Sequence, residues 1–167
     1  YKIQVYTTLA IQLGLYVVMY SPLQMAADLP KNYMRFPDAF QFIKDVALDW
    51  DKSVYLEAEP GRFITIARKE KNSDNWFVGN SNGYNTRNAT VDFSFLDGEK
   101  KYVATIYRDG KEADYLTKPQ EYVVESKKIT SKTSFRDSCT FNAVLYCIGG
   151  SRQPWKNINK YISFHNT

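Results

Sequence analysis

The sequence predicts a mainly β fold, an antiparallel sandwich or barrel behind a helical lead-in. Three observations carry that prediction. Apolar and polar residues alternate with period two from Lys52 onward. Pro60-Gly61, Asp97-Gly98 and Asp109-Gly110 punctuate the run with turn residues. Aromatic residues make up 16% of the chain, with 13 Tyr and 10 Phe, a composition that suits packing on a pleated surface. The 167 residues suffice for one ordinary domain, or for one domain and part of a neighbour, and a hydrophobic content of 44% is enough to bury a core.

The first thirty residues are read separately. No charged residue occurs between Lys2 and Asp28. The run from Leu9 to Ala27 has the look of a membrane span, or of a signal peptide ending at Met25-Ala26-Ala27. Gln12, Ser21 and Gln24 are too polar for a lipid-facing helix, and Gly14 and Pro22 interrupt it. The expectation is a helix over residues 8–21 that packs on several faces inside a larger protein. The rest of this chain is expected to offer it too little partner surface. Leu9, Leu13, Tyr16, Val17 and Tyr20 are therefore expected to expose apolar surface. A membrane-anchored β domain using residues 9–27 is the competing reading of the segment.

A second helix starts at Phe36-Pro37-Asp38, where Pro suits the first turn and Asp38 complements the positive helix end; it runs out near Leu48. Asp49-Trp50-Asp51 marks the crossing into strands. Val54 and Leu56 alternate with polar neighbours, and Phe63–Lys69 and Trp76–Val78 are β-rich. Val91, Phe93 and Phe95 share one face, as do Tyr102, Ala104 and Ile106, and these six are expected to be buried on facing strands while Asp92 and Ser94 face water. Tyr122–Glu125 follows. Phe141–Ile148 is expected at a sheet edge or within the sandwich, and the chain is expected to be irregular after Gly149-Gly150.

Several function classes lack their residues. The net charge of +4 is scattered, without the stripe that nucleic acid requires, and no basic amphipathic helix suggests a membrane surface. Cys139, Cys147 and the single His165 form no zinc constellation, and two cysteines eight apart on one strand lie beyond disulfide reach unless a turn separates them. Asp49/Asp51 and Glu57/Glu59 are carboxylate pairs, the machinery of glycoside hydrolysis, but they stand on a linker and beside a Pro-Gly turn, where acids serve as caps and solubilisers. Asp49-Trp50-Asp51 lacks the further oxygen ligands of a calcium loop. Asn88-Ala89-Thr90 matches a glycosylation sequon that has meaning only in eukaryotic secretion. No catalytic, cofactor-binding or metal residue is assigned. The candidates for carbohydrate contact are Trp50, Trp76, Tyr84 and Tyr115, provided their rings are exposed and coplanar.

Long motifs then point to one family. TLAIQLGLYVVMYSPLQMAADLPKNY (Thr8–Tyr33), FPDAFQFIKDVALDWD (Phe36–Asp51), GRFITIARK (Gly61–Lys69), NWFVGN (Asn75–Asn80), FLDGEKKYVATIYRDG (Phe95–Gly110), Asp114-Tyr115 and ITSKT (Ile129–Thr133) closely resemble the C-terminal part of glycoside hydrolase family 97, the α-glucosidases and α-galactosidases of gut Bacteroidetes. The resemblance covers about four fifths of the chain. It implies a three-part enzyme made of an N-terminal β-super-sandwich, a (β/α)8 barrel and a C-terminal β-sandwich. Residues 1–48 would then be the helical end of the barrel and a connector, residues 49–148 a Greek-key-like antiparallel sandwich, and residues 149–167 a divergent tail. The family pattern breaks after Thr133, where the change in composition fits a frameshift or a divergent tail.

The function so implied is an accessory, structural C-terminal domain of a calcium-dependent α-glycoside hydrolase. Its partners would be the barrel and N-terminal domain preceding it in the same polypeptide, and the parent's substrate an oligosaccharide. The parent would be inverting or retaining, and periplasmic or extracellular. Calcium belongs to the full-length enzyme, and the chain itself is expected to be non-catalytic, with no nucleic acid partner and no membrane span. The alternative is a stand-alone carbohydrate-binding β-sandwich module.

Overall fold

The structure, a computed structural model, describes residues 5–83, 88–137 and 143–149. Among these residues the helices α1 (Leu9–Val18), α2 (Pro30–Tyr33) and α3 (Pro37–Asp45) come first. The strands β1 (Trp50–Glu59), β2 (Phe63–Glu70), β3 (Trp76–Asn82), β4 (Ala89–Asp92), β5 (Tyr102–Asp109), β6 (Tyr122–Ile129), β7 (Ser134–Asp137) and β8 (Ala143–Gly149) follow. They build a six-stranded antiparallel sheet in the order β1-β2-β3-β8-β5-β6 and a two-stranded sheet of β4 and β7. The mainly β, antiparallel fold read from the sequence is the fold observed. The strand expected near Phe141–Ile148 lies in the interior of the large sheet, with Cys147 opposite Trp76 on β3 and opposite Ala104 on β5.

The large sheet is buried on both faces. On one, Ala67, Trp76, Val78, Tyr102, Ala104, Ile106, Ile129 and Cys147 form a core with Val91, Phe93 and Leu96 from β4 and the turn after it. On the other, Phe77 and Tyr107 pack against Leu13 and Val17 of α1 and Ala39 and Phe42 of α3. Successive residues Trp76, Phe77 and Val78 point alternately into the two cores, as the pleat requires. At the outer edge, β1 carries irregularities at Trp50/Lys52 and Tyr55/Glu57, which re-aim an edge that could otherwise pair with another chain.

Two expectations are corrected by this packing. The helix near the start ends at Val18, and Leu13 and Val17 are only 1% and 0% exposed, with Leu9 and Tyr16 half-buried. The sheet covers α1 because glycine seats it. A Cβ on Gly79 would lie 2.9 Å from the Gly14 carbonyl oxygen and 2.9 Å from Val17 Cβ, so strand and helix backbones touch there. Of the five residues named, Tyr20, beyond the helix end, is the one that is exposed. Second, Val91, Phe93, Tyr102, Ala104 and Ile106 are buried and Asp92 and Ser94 exposed, but Phe95 is only half-buried. β4 stops at Asp92, whose Oδ1 accepts a hydrogen bond from Ser94 N at 2.9 Å, and Leu96 N donates to Phe93 O at 2.9 Å. This turn buries Leu96 fully and leaves Phe95 half-buried, packed against the same core.

Helix α3 begins as expected, with Pro37 in its first turn, but closes earlier, at Asp45, where Val46 N donates to Phe42 O. Its start is tied to β6 by a hydrogen bond from the Tyr122 hydroxyl to Asp38 Oδ1. Among the described residues no helix is long and apolar enough to cross a membrane. The tail expected over residues 149–167 lies outside the described residues beyond Gly149, as do Cys139 and His165.

Candidate functional site

Of the rings considered for sugar contact, Trp50 and Trp76 do not come together. Trp76 is 4% exposed and packs on Phe95 at a centroid distance of 4.8 Å inside the core under β4. Trp50 is half-buried in the opposite core, edge-on to Phe77 at 5.5 Å, with the Arg68 guanidinium 6.0 Å from its centroid. Tyr115 is exposed on the loop between β5 and β6, and Tyr84 lies outside the described residues. Trp50 and Trp76 therefore stand on opposite faces of one sheet and cannot form a common platform. A strand seven residues long and buried on both faces hides this, because Trp76-Phe77-Val78 shows no apolar–polar alternation that would say which ring points where.

The carboxylates are engaged at the surface. Asp49 Oδ2 accepts from Lys71 Nζ at 2.8 Å, and Asp51 Oδ2 from Lys69 Nζ at 3.3 Å, across β1 and β2. Glu59 Oε1 accepts from Arg62 Nη1 at 2.8 Å at the Pro60-Gly61 turn. The Lys71 hydrogen bond holds the Asp49 carboxyl below its ordinary range, so it stays an anion rather than a proton donor at neutral pH. A general acid for glycoside hydrolysis needs the reverse, a carboxyl raised by burial. Asp114 is likewise lowered, by the backbone N–H and hydroxyl of Thr117 and the Leu116 N–H, and these bonds fold its loop into an Asx turn. Cys147 is buried in the sheet, and desolvation pushes its thiol up to about 12, far from a nucleophile's range.

Among the described residues, two concavities bear on the question. One, of about 460 Å³, runs along the β1–β2 turn and the end of β3, past Glu59, Pro60, Arg62, Phe63, Ser81 and Asn82. The other, of about 240 Å³, lies between α1 and the α2–α3 segment, with Asp28, Asn32, Tyr33, Phe36, Phe40 and Gln120 on its walls. Neither sets two carboxyls across a gap. Among the described residues no group of three His, Cys, Asp or Glu side chains could hold a metal ion.

One organising residue escaped the sequence reading. Arg68 donates from Nη2 to the Val18 carbonyl at 3.3 Å and from Nη1 to Ser53 Oγ at 3.2 Å, and its guanidinium lies 5.8 Å from the Tyr20 centroid. A cation on the last carbonyls of a helix satisfies groups that have no partner within it and complements the negative helix end. Arg68 thereby joins the end of α1 to β1 and β2. No local signal marks it, since its partners lie fifteen and fifty residues away.

Comparison with known proteins places this arrangement. Residues 49–142, more than half of the chain, match the family described as "Glycosyl-hydrolase 97 C-terminal, oligomerisation". A retaining α-galactosidase of Bacteroides thetaiotaomicron is 43% identical over 102 residues, which span 61% of this chain and 15% of that protein. A glycoside hydrolase family 97 enzyme from Pseudoalteromonas sp. strain K8, solved in complex with acarbose, superposes with a TM-score of 0.83 at 39% identity, covering 87% of this chain and 23% of its own. A variant of that enzyme in complex with panose matches equally well. The chain thus spans well under a third of the length of the relatives it matches. By the matched family, the shared sequence and the shared sandwich, the chain belongs to glycoside hydrolase family 97, of which it carries the C-terminal domain.

Proposed function

We propose that the chain serves as the accessory domain of an α-glycoside hydrolase, bracing the catalytic part of the enzyme and joining copies of it, and that it does no chemistry itself. The observation that carries this reading is the match of residues 49–142 to a C-terminal family described by oligomerisation. The surface acids support it, since Asp49, Asp51 and Glu59 are paired with cations on strand edges and turns instead of flanking a walled cleft. On this reading the parent reaction is hydrolysis of an α-glycosidic bond, and one relative is a retaining α-galactosidase. Calcium, where the full-length enzyme uses it, would be held by residues outside this chain. Secretion to the periplasm or beyond fits the same reading. The stand-alone sugar-binding reading is disfavoured by Trp50 and Trp76 lying on opposite faces of the sheet.

The test is an assay of the purified chain on chromogenic α-galactosides and α-glucosides, with calcium added and then chelated. No turnover is expected in either state. Calcium-dependent turnover that disappears in Glu57→Gln or Glu59→Gln would overturn the non-catalytic reading. Sedimentation over a range of protein concentrations tests the joining of copies, and a monomer throughout would overturn that half.

A further inference from the structure

The six-stranded sheet ends on β1 and β6, and the two edges are finished differently. β1 is irregular at Trp50/Lys52 and Tyr55/Glu57. β6 pairs with β5 in one unbroken register from Tyr122 to Ile129 and contains no proline. Among the described residues it has no strand on its other side. β4 and β7, with four residues each, offer little edge to a partner. A regular edge as long as β6 is a template for one more strand.

The ladder to β5 fixes which backbone groups of β6 are open. Gly110 N donates to Glu121 O at 3.0 Å, and this pair continues the register in which Asp109 stands opposite Tyr122. Hydrogen-bonded and non-bonded pairs alternate along an antiparallel ladder. Val123, Glu125, Lys127 and Ile129 therefore bond to β5, while Tyr122, Val124, Ser126 and Lys128 turn their N–H and C=O groups to the open edge. The side chains of Glu125 and Lys127 share a face with Ile129, which belongs to the core under β4; Tyr122 and Val124 pack on the helix side. The charges on this edge complement themselves. Glu125 and Lys127 have side chains 30% and 45% exposed. Two copies of β6, running antiparallel about a two-fold axis at Ser126, set Glu125 opposite the partner's Lys127 and Val123 opposite the partner's Ile129. The stem of Lys128 then lies over the partner's Val124. Open groups meet in the pairs 124 with 128 and 126 with 126, each exchanging two hydrogen bonds, so the axis uses the groups that β5 leaves unpaired. An axis at Glu125 or Lys127 sets like charges face to face, and one at Val124 or Lys128 leaves part of the strand without a mate.

We propose that β6 is the edge through which two copies of the chain join, by an antiparallel β6–β6 pairing centred on Ser126 that carries one sheet through both sandwiches. The proposal rests on the reading that this domain joins copies of the enzyme, and it names the surface and the register. A second copy is the occupant because the edge matches its own antiparallel image in charge, in apolar pairs and in open backbone groups, and because the matched family is described by oligomerisation. The contact is isologous, so it closes at two copies and leaves no further edge of the same kind.

Sedimentation of the full chain and two charge variants tests this. The parent is expected to dimerise. Lys127→Glu sets carboxylates opposite each other and Glu125→Lys sets ammonium groups opposite each other, so each variant alone should dimerise roughly 10- to 100-fold more weakly. An equimolar mixture of the two should dimerise about as tightly as the parent, because every opposed pair is again of unlike charge. A mixture no tighter than its components would overturn the proposal. Cooperative thermal unfolding certifies that each variant is folded. Should either fail that check, Ser126→Cys in a Cys139→Ser background decides, since it alters no charge. Hydrogen-bonded antiparallel pairs set Cα atoms about 5.5 Å apart, so oxidised glutathione should link two copies of that variant and not of the Cys139→Ser parent. A parent dimer that neither charge variant weakens, and that the cysteine variant does not cross-link, would overturn the β6 edge and leave the joining of copies standing. A parent that stays monomeric at every concentration would overturn both.

Discussion

The two faces of the six-stranded sheet are covered in different ways. Under β4, side chains meet side chains: Tyr102, Ala104 and Ile106 interlock with Val91, Phe93 and Leu96, all from the β part of the chain. On the other face the cover arrives from before the first strand, and part of the contact is backbone on backbone at Gly79. On the same face the rings of Phe42 and Phe77 meet edge-on at 6.4 Å, and those of Phe42 and Tyr107 are tilted to each other at 5.5 Å. A sandwich face needs only a register of alternating residues, whereas seating a helix also needs one small residue at the point of closest approach. The difference teaches that α1 and α3 are structural members of the β domain. The boundary at residue 48 that the resemblance implies runs through a shared core.

The strongest way to break the comparison is to remove one cover. A chain beginning at Asp49 would leave Phe77 and Tyr107 facing water and lose the burial of Leu13, Val17 and Phe42. At about 1.5–3 kcal/mol for each large apolar side chain, the loss rivals the whole stability of an ordinary domain. Loss of cooperative unfolding and gain of dye binding are expected, measured by near-ultraviolet circular dichroism and ANS fluorescence. Cooperative unfolding within about 1 kcal/mol of the parent would show the helices to be dispensable.

Single truncations sharpen it. Phe93→Ala on one face and Phe42→Ala on the other should each cost about 3–5 kcal/mol in urea unfolding, since both side chains are fully buried. Because the sheet stands between them, their effects should add to within about 0.5 kcal/mol, and a larger coupling would show that the faces report on each other. Next in size, Gly79→Ala should cost about 1–3 kcal/mol by lifting α1 from the sheet, an overpacking effect. The same substitution at Gly98, where a Cβ would meet only Ser131 Oγ at 3.8 Å, is the control.

The smallest effect depends on pH. Arg108 donates to Glu125 Oε1 from Nε at 3.1 Å and from Nη2 at 2.6 Å, and Lys127 Nζ lies 3.1 Å from Oε2. These cations, Arg108 first, hold the Glu125 carboxyl below its ordinary range. A carboxyl depressed in the folded state contributes stability above its unfolded pKa, about 4.3, and that contribution is lost as pH falls through the folded value. Glu125→Gln should therefore cost at most about 1 kcal/mol at pH 7, and the gap between parent and variant should shrink below about pH 4. A gap that is constant from pH 7 to pH 3 would assign the effect to packing.

Legibility in the sequence followed burial. The face of β5 was readable because Tyr102, Ala104 and Ile106 alternate with less apolar neighbours, and Phe63–Lys69 was placed almost to its ends. β3 was read as only three residues because Gly79 and Asn80 are not strand-like, yet both are buried in its continuation to Asn82. α2, one turn starting at Pro30, and β7, four residues, were too short to carry a period and went unread. The glycine that seats α1 was not legible either, since its partners Gly14 and Val17 lie more than sixty residues away. The candidate site suffered most. Ring exposure is a tertiary property, and neither Trp50 nor Trp76 advertises which core will take it.

The position of β8 has a kinetic consequence. It is the last strand described along the chain, yet it separates β3 from β5 in the middle of the sheet. Before Ala143–Gly149 is available, β1–β3 and β5–β6 can form only as two separate ribbons, each with an open inner edge. During synthesis at roughly 5–20 residues per second, those edges wait several seconds for their common neighbour. Such long-range closure is slow, because the entropy of bringing distant segments together precedes the contacts that reward it. Aggregation during expression should therefore respond more to changes in residues 143–149 than to changes at the outer edge strands, even where the folded domain tolerates both equally.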